Sequence, residues 1–262
     1  MCSTQLNLFS SDLPEDDKKD DSIKNSAKEH IEEVQIQESE IIENLTEEDI
    51  KVNHLIKEFI SHENINDDIR NEYNQKLKEI AINCKKCVLS KTRTQVVYSA
   101  GNINAPIMII GEGPGENEDL SGIPFVGKAG QLLDKILASG GISREDDVYI
   151  SNVVKCRPPK NRTPVQEEVD ACSIYLNNQL KLIKAKIILL AGSTATNAFL
   201  KETLSITKVR GNWIERDDKW IMPIFHPSYL LRNASKDVGS PKWLMWQDIK
   251  KVKQKLQDLK EI

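Results

Sequence analysis

The sequence predicts an α/β fold of three layers, with helices above and below a central, mainly parallel four-stranded sheet, preceded by an acidic N-terminal extension. Three observations predict it. Four apolar runs of strand length recur along the second part of the 262-residue chain, each followed by a segment of different periodicity. The segments between the runs carry apolar residues at helical spacing, the alternation that builds a parallel sheet covered on both faces. Charge also divides the chain: residues 1–75 hold 20 acids against 7 bases, whereas residues 76–262 hold 20 acids against 29 bases.

Residues 1–75 are rich in Asn and Glu and read as a largely disordered or partly helical extension, with the folded domain at 76–262. Within the extension, LTEEDIKVNHLIKEFI around Thr46 has a rough helical pattern, marginal on its own. A second helical segment, about residues 68–82, leads into Cys84.

The first apolar run, Pro106–Ile110, enters a glycine-rich loop and then a helix, GKAGQLLDKILAS. Leu132, Leu133, Ile136 and Leu137 share one face of it, and Gly140-Gly141 stops it. After the second run, Val148–Val154, Thr163-Pro164-Val165-Gln166 reads as a capping box with proline in the first turn. Val165, Val169, Cys172, Leu176, Leu180 and Ile183 then repeat at threes and fours. The third run, Lys186–Ala191, is followed by Gly192-Ser193-Thr194, which reads as the cap of a short helix. The fourth is Trp220–Phe225. A last helix starts at Ser240-Pro241 and continues through Ile249, Val252, Leu256 and Leu259. VVYSAG (96–101) and NWIER (212–216) are candidate edge strands, and no internal repeat is present.

No apolar run reaches bilayer length, so no membrane attachment is expected. The start, MCSTQLNLFSSDLPEDDKK, lacks the basic and apolar regions of a secretion signal, so the expected location is the cytoplasm and the expected state a monomer. The basic second part suits a polyanion such as nucleic acid, although a solvated basic surface is about as common.

The loop after the first strand, GEGPGENEDLSGIPFVG, stands where open α/β sheets bind ligands. It does not suit phosphate. Pro114 has no N–H, the spacing is not G-x-G-x-x-G, and Glu112, Glu116, Glu118 and Asp119 repel anions. A neutral group fits it better.

Cys84 and Cys87 form C-x2-C, with 68 residues between Cys87 and Cys156 and 15 between Cys156 and Cys172. Four thiolates can hold zinc or an iron–sulfur cluster; unligated buried cysteines or a redox pair are the plainer readings. A zinc ribbon more usually has two C-x2-C turns, so the irregular set favours a cluster. Cys2 stands apart.

Three segments, GEGPGENEDLSGIPFVGKAGQLLDKIL, NVVKCRPPKNRTPVQEEVDAC and HPSYLLR, together resemble the iron–sulfur uracil-DNA glycosylases, family 4. The resemblance covers residues 83 to 262 and implies that Cys84, Cys87, Cys156 and Cys172 hold a [4Fe–4S] cluster. It implies hydrolysis of the N-glycosidic bond of uracil in DNA, with uracil-containing DNA as the partner. Such a reaction needs a flipped base, a pocket reading its edge and stabilisation of charge on the leaving ring.

By the same resemblance, Glu112 positions the water and supports the cationic sugar, with Glu118, and more weakly Asp119, in the water network. Gly113 offers a backbone amide to a uracil carbonyl, and Phe125 stacks on the base. Asn152 reads the N3–H and O4 edge, and His226 acts as an electrophile at O2. Leu230 or Leu231 is the wedge that fills the vacated stack, with Arg232 and Lys128 at phosphates. The plainer alternatives are a loop-satisfied Glu112, a core Phe125, a turn Asn152 and a structural His226.

The first 80 or so residues depart from the family. There Gln5-Leu6-Asn7-Leu8-Phe9 looks like the Q-L-x-L-F peptide by which bacterial proteins bind the replication sliding clamp, with Gln5, Leu6, Leu8 and Phe9 as contacts. A catalytically silent DNA-binding or polymerase-associated module is the rival function. The related uracil-DNA capture protein, which uses a histidine in an inserted loop, is disfavoured because RPPKNRT (157–163) is short and has none.

Overall fold

The computed structural model describes residues 45–259. Residues Thr46–Ile262 group into one compact unit, which takes in residues 46–75 of the acidic stretch. Helix α1 (Glu47–Ser61) and helix α2 (Asp67–Ile82) supply the reason. Thr46 caps α1, its Oγ1 accepting the Asp49 N–H at 3.2 Å while Asp49 accepts the Thr46 N–H at 3.0 Å. Val52, Leu55, Ile56 and Phe59 of α1 join Tyr73, Leu77 and Ala81 of α2 in the main core. Packing of that stripe stabilises helices too polar to persist alone.

The sheet comprises β1 (Ala100–Gly101), β2 (Ile107–Gly111), β3 (Val148–Asn152), β4 (Ile187–Ala191), β5 (Ile214–Arg216) and β6 (Lys219–Ile224). Their order is β1-β3-β2-β4-β6-β5. The expected four-stranded sheet is therefore the parallel centre of a six-stranded one, with β1 and β5 antiparallel at the edges. Both edges lie in the segments flagged as candidate strands, but they are only two and three residues long. Asp217 and Asp218, at φ +51° and +58°, make the tight turn between β5 and β6, with both residues left-handed as a type I′ hairpin demands.

Every residue of β2, β3 and β4 is buried, as expected for parallel strands covered on both sides. Alternation sorts them. Met108, Ile110, Tyr149, Ile188 and Leu190 face the core shared with α1, α2 and helix α5 (Gln166–Leu182). Ile107, Ile109, Val148, Ile150, Ile187 and Leu189 face a second core with Leu133 and Leu137 of helix α4 (Lys128–Ser139). Helix α9 (Pro241–Asp258), capped by Ser240, adds Ile249, Val252 and Leu256 to that side.

Helix α5 begins two residues later than its expected capping box implies. Val165 is its N-cap, and the Glu168 carboxylate accepts the Val165 N–H at 3.0 Å, leaving Thr163-Pro164 in the preceding loop. The shorter helices are α3 (Glu116–Ser121), α6 (Ser193–Leu200), α7 (Ile206–Val209) and α8 (Pro227–Arg232). Among the described residues no helix is long and apolar enough to cross a membrane.

The four central strands run the same way, so Gly111, Asn152, Ala191 and Ile224 end at one edge of the sheet. From β2 the chain crosses to β3 on one side and later to β4 on the other. That reversal opens a crevice between the ends of β2 and β4, the position at which such sheets bind ligands.

Candidate active site

Glu112, Gly113, Asn152 and His226 lie at or just past these strand ends. Gly111 pairs in register with Asn152, which brings the loop carrying Glu112 beside the end of β3. A Cβ built on Gly111 would fall 2.4 Å from Asn152 Oδ1 and 2.6 Å from the Phe125 ring. Both side chains therefore lean over this glycine, and no larger residue fits beneath them.

Phe125 is buried with φ +55°, a conformation that costs a non-glycine residue about 1–3 kcal/mol. Three contacts hold it there. Glu118 Oε1 accepts the N–H groups of Val126 (3.0 Å) and Gly127 (2.8 Å). Its Oε2 accepts the Gly115 N–H at 3.1 Å. Helix α4 presses from behind, where a Cβ on Gly130 would lie 1.8 Å from the Phe125 carbonyl oxygen. Glu118 is thus engaged with three loop amides. Asp119 likewise binds the Thr94 N–H through both oxygens, at 2.9 and 3.0 Å, and is buried.

Asn152 is 1 % exposed, and its Oδ1 has no hydrogen-bond partner. An unpaired buried amide oxygen costs about 1–3 kcal/mol, a strong hint of a ligand atom meant to meet it. Its backbone is fixed from below. The Lys155 amine donates to the Asn152 carbonyl at 2.7 Å, and also to Gln179 Oε1 at 2.8 Å and Ser151 Oγ at 2.5 Å.

His226 caps α8. Its Nδ1 accepts the Ser228 N–H at 3.2 Å and lies 2.7 Å from Ser228 Oγ. An Nδ1 that accepts a backbone N–H carries no proton, so the neutral ring holds its hydrogen on Nε2. Burial, helped by the Arg232 cation, pulls this imidazole down to about 4, with Glu118 opposing. At neutral pH His226 is therefore an uncharged donor. Its ring lies 5.8 Å from that of Phe125. Gly192 makes room for it, since a Cβ there would come within 2.9 Å of His226 Cβ.

Glu112, Gly113, Phe125, Asn152, His226 and Arg232 line one cavity of about 370 Å³. A neighbouring cavity of about 440 Å³ shares Glu112, His226, Ser228 and Arg232 and extends to Gly192 and Ser193 at the end of β4. Glu112 stands on the wall common to both. Its Oε2 accepts a short hydrogen bond from Thr194 Oγ1. The arrangement has a flat apolar face, a donor–acceptor amide, a neutral N–H donor and a carboxylate. Together they can seat a planar polar ring and meet charge of opposite signs on its two sides.

Other expected residues separate. Leu230 is 1 % exposed and belongs to the core, whereas Leu231 is 45 % exposed, so of the two only Leu231 is free to act as a wedge. Lys128 is exposed at the first position of α4, and it lines neither cavity. Gln5, Leu6, Leu8 and Phe9 lie outside the described residues. Sequence reading missed Thr194, taken for a helix cap, and Ser228 and Lys155. Gly192 is the N-cap, with no side-chain capping bond to α6.

Cys84, Cys87, Cys156 and Cys172 are free thiols lining a separate cavity with Arg93, Lys155 and Tyr175. Three sulfurs accept hydrogen bonds: Cys84 from the Lys86 N–H (3.5 Å), Cys156 from Arg93 (3.1 Å) and Cys172 from the Lys155 N–H (3.3 Å). The Tyr175 hydroxyl is buried there without a partner. Among the described residues no three His, Cys, Asp or Glu side chains gather around a point that one metal ion would fill. Four sulfur donors lining one small cavity, with an orphaned hydroxyl beside them, are the donor set that zinc or an iron–sulfur cluster takes.

Comparison with known proteins agrees with this geometry. A family model described as the uracil DNA glycosylase superfamily matches residues 98–250. The type-4 uracil-DNA glycosylase of Thermotoga maritima is 47 % identical over 186 residues, 70 % of this chain and 95 % of that protein. Those of Sulfurisphaera tokodaii and Archaeoglobus fulgidus are 41 % identical over 188 residues and 45 % over 159. These alignments cover 69 % and 57 % of this chain, and 83 % and 79 % of the relatives.

Proposed function

The chain belongs to the type-4 uracil-DNA glycosylases of the uracil-DNA glycosylase superfamily, and on that premise we propose that it hydrolyses the N-glycosidic bond of uracil in DNA, releasing uracil and leaving an abasic site. The observation that carries this reading is the convergence of Glu112, Phe125, Asn152 and His226 on one cavity, with Asn152 Oδ1 buried and unpaired.

The target base leaves the stack and enters that cavity, where it lies against Phe125. Asn152 accepts the uracil N3–H with Oδ1 and donates to O4 with its NH2 group. Cytosine presents an acceptor and a donor at those positions, so it would leave buried groups facing like groups, which a site built on hydrogen bonds rejects strongly. As the glycosidic bond breaks, negative charge gathers at uracil O2 and meets the Nε2–H of neutral His226, with no proton transfer required. The sugar turns cationic, and Glu112 stabilises it while holding the water that attacks the anomeric carbon. Leu231 enters the vacated stack, and Arg232 lies near a phosphate.

The four cysteines would hold a [4Fe–4S] cluster. When bound, it supplies a covalent clamp joining the Cys84–Cys87 loop to the end of β3 and to α5, close behind Asn152. Iron and inorganic sulfide in equal amounts in the isolated protein support it; a colourless protein with zinc alone removes it. Residues 5–9 serve as a sliding-clamp peptide. Equal clamp affinity of the parent and a Leu8→Ala, Phe9→Ala double variant would end that assignment.

The function is tested on oligonucleotides carrying U:G, U:A, single-stranded U and hypoxanthine. Free uracil and an abasic strand are expected from the uracil substrates, and Asn152→Ala should lose about a hundredfold or more in rate. No uracil release by the parent protein would refute the activity, and full activity in Asn152→Ala would refute the pocket.

A further inference from the structure

We propose that Thr194 is a positioning residue for the reaction, aiming the Glu112 carboxylate across the crevice between β2 and β4. The inference rests on the reading of Glu112 as the group that meets the sugar and the water.

Thr194 is the second residue of α6, where sequence pattern reads a helix cap. It caps nothing: the N-cap is Gly192, and the hydroxyl instead reaches 82 residues back along the chain to Glu112 Oε2. Strands β2 and β4 pair in register up to Ile110 opposite Leu190. Two residues past that point the chain on one side has reached Glu112, and four past it on the other side Thr194. The bond therefore spans the crevice, joining the loop after β2 to the first turn of α6.

A threonine hydroxyl has one hydrogen to give. Given to Oε2, it fixes that oxygen by a charge-assisted bond and leaves Oε1 as the one available to water and sugar. Without it, a glutamate at the meeting of two cavities totalling several hundred Å³ has room to rotate. The side chain has three torsions, and that freedom has to be lost before the carboxylate can hold a water in place. Thr194 touches neither base nor sugar in this scheme. It acts through the acid.

The test uses the full chain, with kcat and KM for uracil release and the Kd for uracil DNA carrying an uncleavable glycosidic bond. Thr194→Val keeps the shape and removes the hydroxyl. It should lower kcat by about tenfold to a hundredfold, a loss of the size that misplaced reacting groups produce, with KM and Kd within about twofold of the parent value. Thr194→Ser restores most of the rate. In a Glu112→Gln background the Val substitution adds little, because residues that act through one another are not additive. If the Val variant fails to melt cooperatively, Thr194→Ala supplies the same comparison. Parental kcat in the variants lacking the hydroxyl, an equal loss in the Ser variant, or a full additional loss on top of Glu112→Gln would each overturn the proposal. Absence of uracil release by the parent protein would strike the proposed function instead.

Discussion

Asn152 and His226 present opposite groups to the cavity: Asn152 has an unpaired acceptor, whereas His226 has its acceptor nitrogen already satisfied and offers only a donor. That difference sets how each should respond to pH. The amide does not titrate. The imidazole, at about 4 in the fold against the ordinary 6.5, stays neutral through the physiological range. Between those two values the unfolded chain binds a proton that the folded chain refuses, so this residue's contribution to stability is intact above about 6.5 and is lost as pH falls towards 4. Denaturant midpoints at pH 7 and pH 4.5 should therefore drop further in the parent than in His226→Gln, and the parent's rate should show no step at 6.5. An equal drop in both proteins would mean that His226 is not held neutral. Glu118 teaches a different lesson at this scale. Its spacing from Gly115, Val126 and Gly127 is visible in the chain, but only the folded loop reveals that three amides converge on one carboxylate.

Helix α9 is tied to the residue that ends α7 by a buried ion pair. Asp248, fully buried, receives both Arg210 Nε at 2.8 Å and a second, short bond from the other end of the guanidinium. Gly211, at φ +72°, lets the two approach, since a Cβ there would lie 2.2 Å from Asp248 Oδ1. Removing one partner strands a buried charge, so Asp248→Ala should cost about 3–5 kcal/mol. The pair lines neither cavity, and uracil release measured well below the melting temperature should stay near the parental rate. A melting temperature equal to the parent's would show the pair to be dispensable. The periodicity of α9 and its Ser240-Pro241 start are legible in the sequence because they are local; Arg210, 38 residues away, is not.

At the level of the whole chain, the change in charge and the extent of the packed core do not coincide. Composition separates an acidic stretch from a basic one near residue 75, yet the apolar stripe of α1 and α2 belongs to the same core as α5 and the sheet. A chain starting at residue 46 should melt close to the full-length protein and release uracil at a similar rate. A chain starting at residue 76 lacks α1 and half of α2, exposing Leu77, Tyr98 and Tyr149. It should melt far lower or fail to fold. Equal stability of the two truncated chains, followed by circular dichroism, would put the boundary at residue 75.

The sequence by itself determined the parallel centre of the sheet, the order of its six longer helices, the four cysteines and the strand-end positions of Glu112, Asn152 and His226. Each of these is written in local periodicity or in short spacings. Only the tertiary structure decided that two minimal edge strands complete the sheet, that Leu230 is core while Leu231 is free, and that Thr194 serves Glu112 rather than its own helix. Those outcomes depend on which residues meet across the switch between β2 and β4 and across the two faces of the sheet. Contacts of that kind join segments tens of residues apart, and a one-dimensional pattern carries the residues but not their meeting.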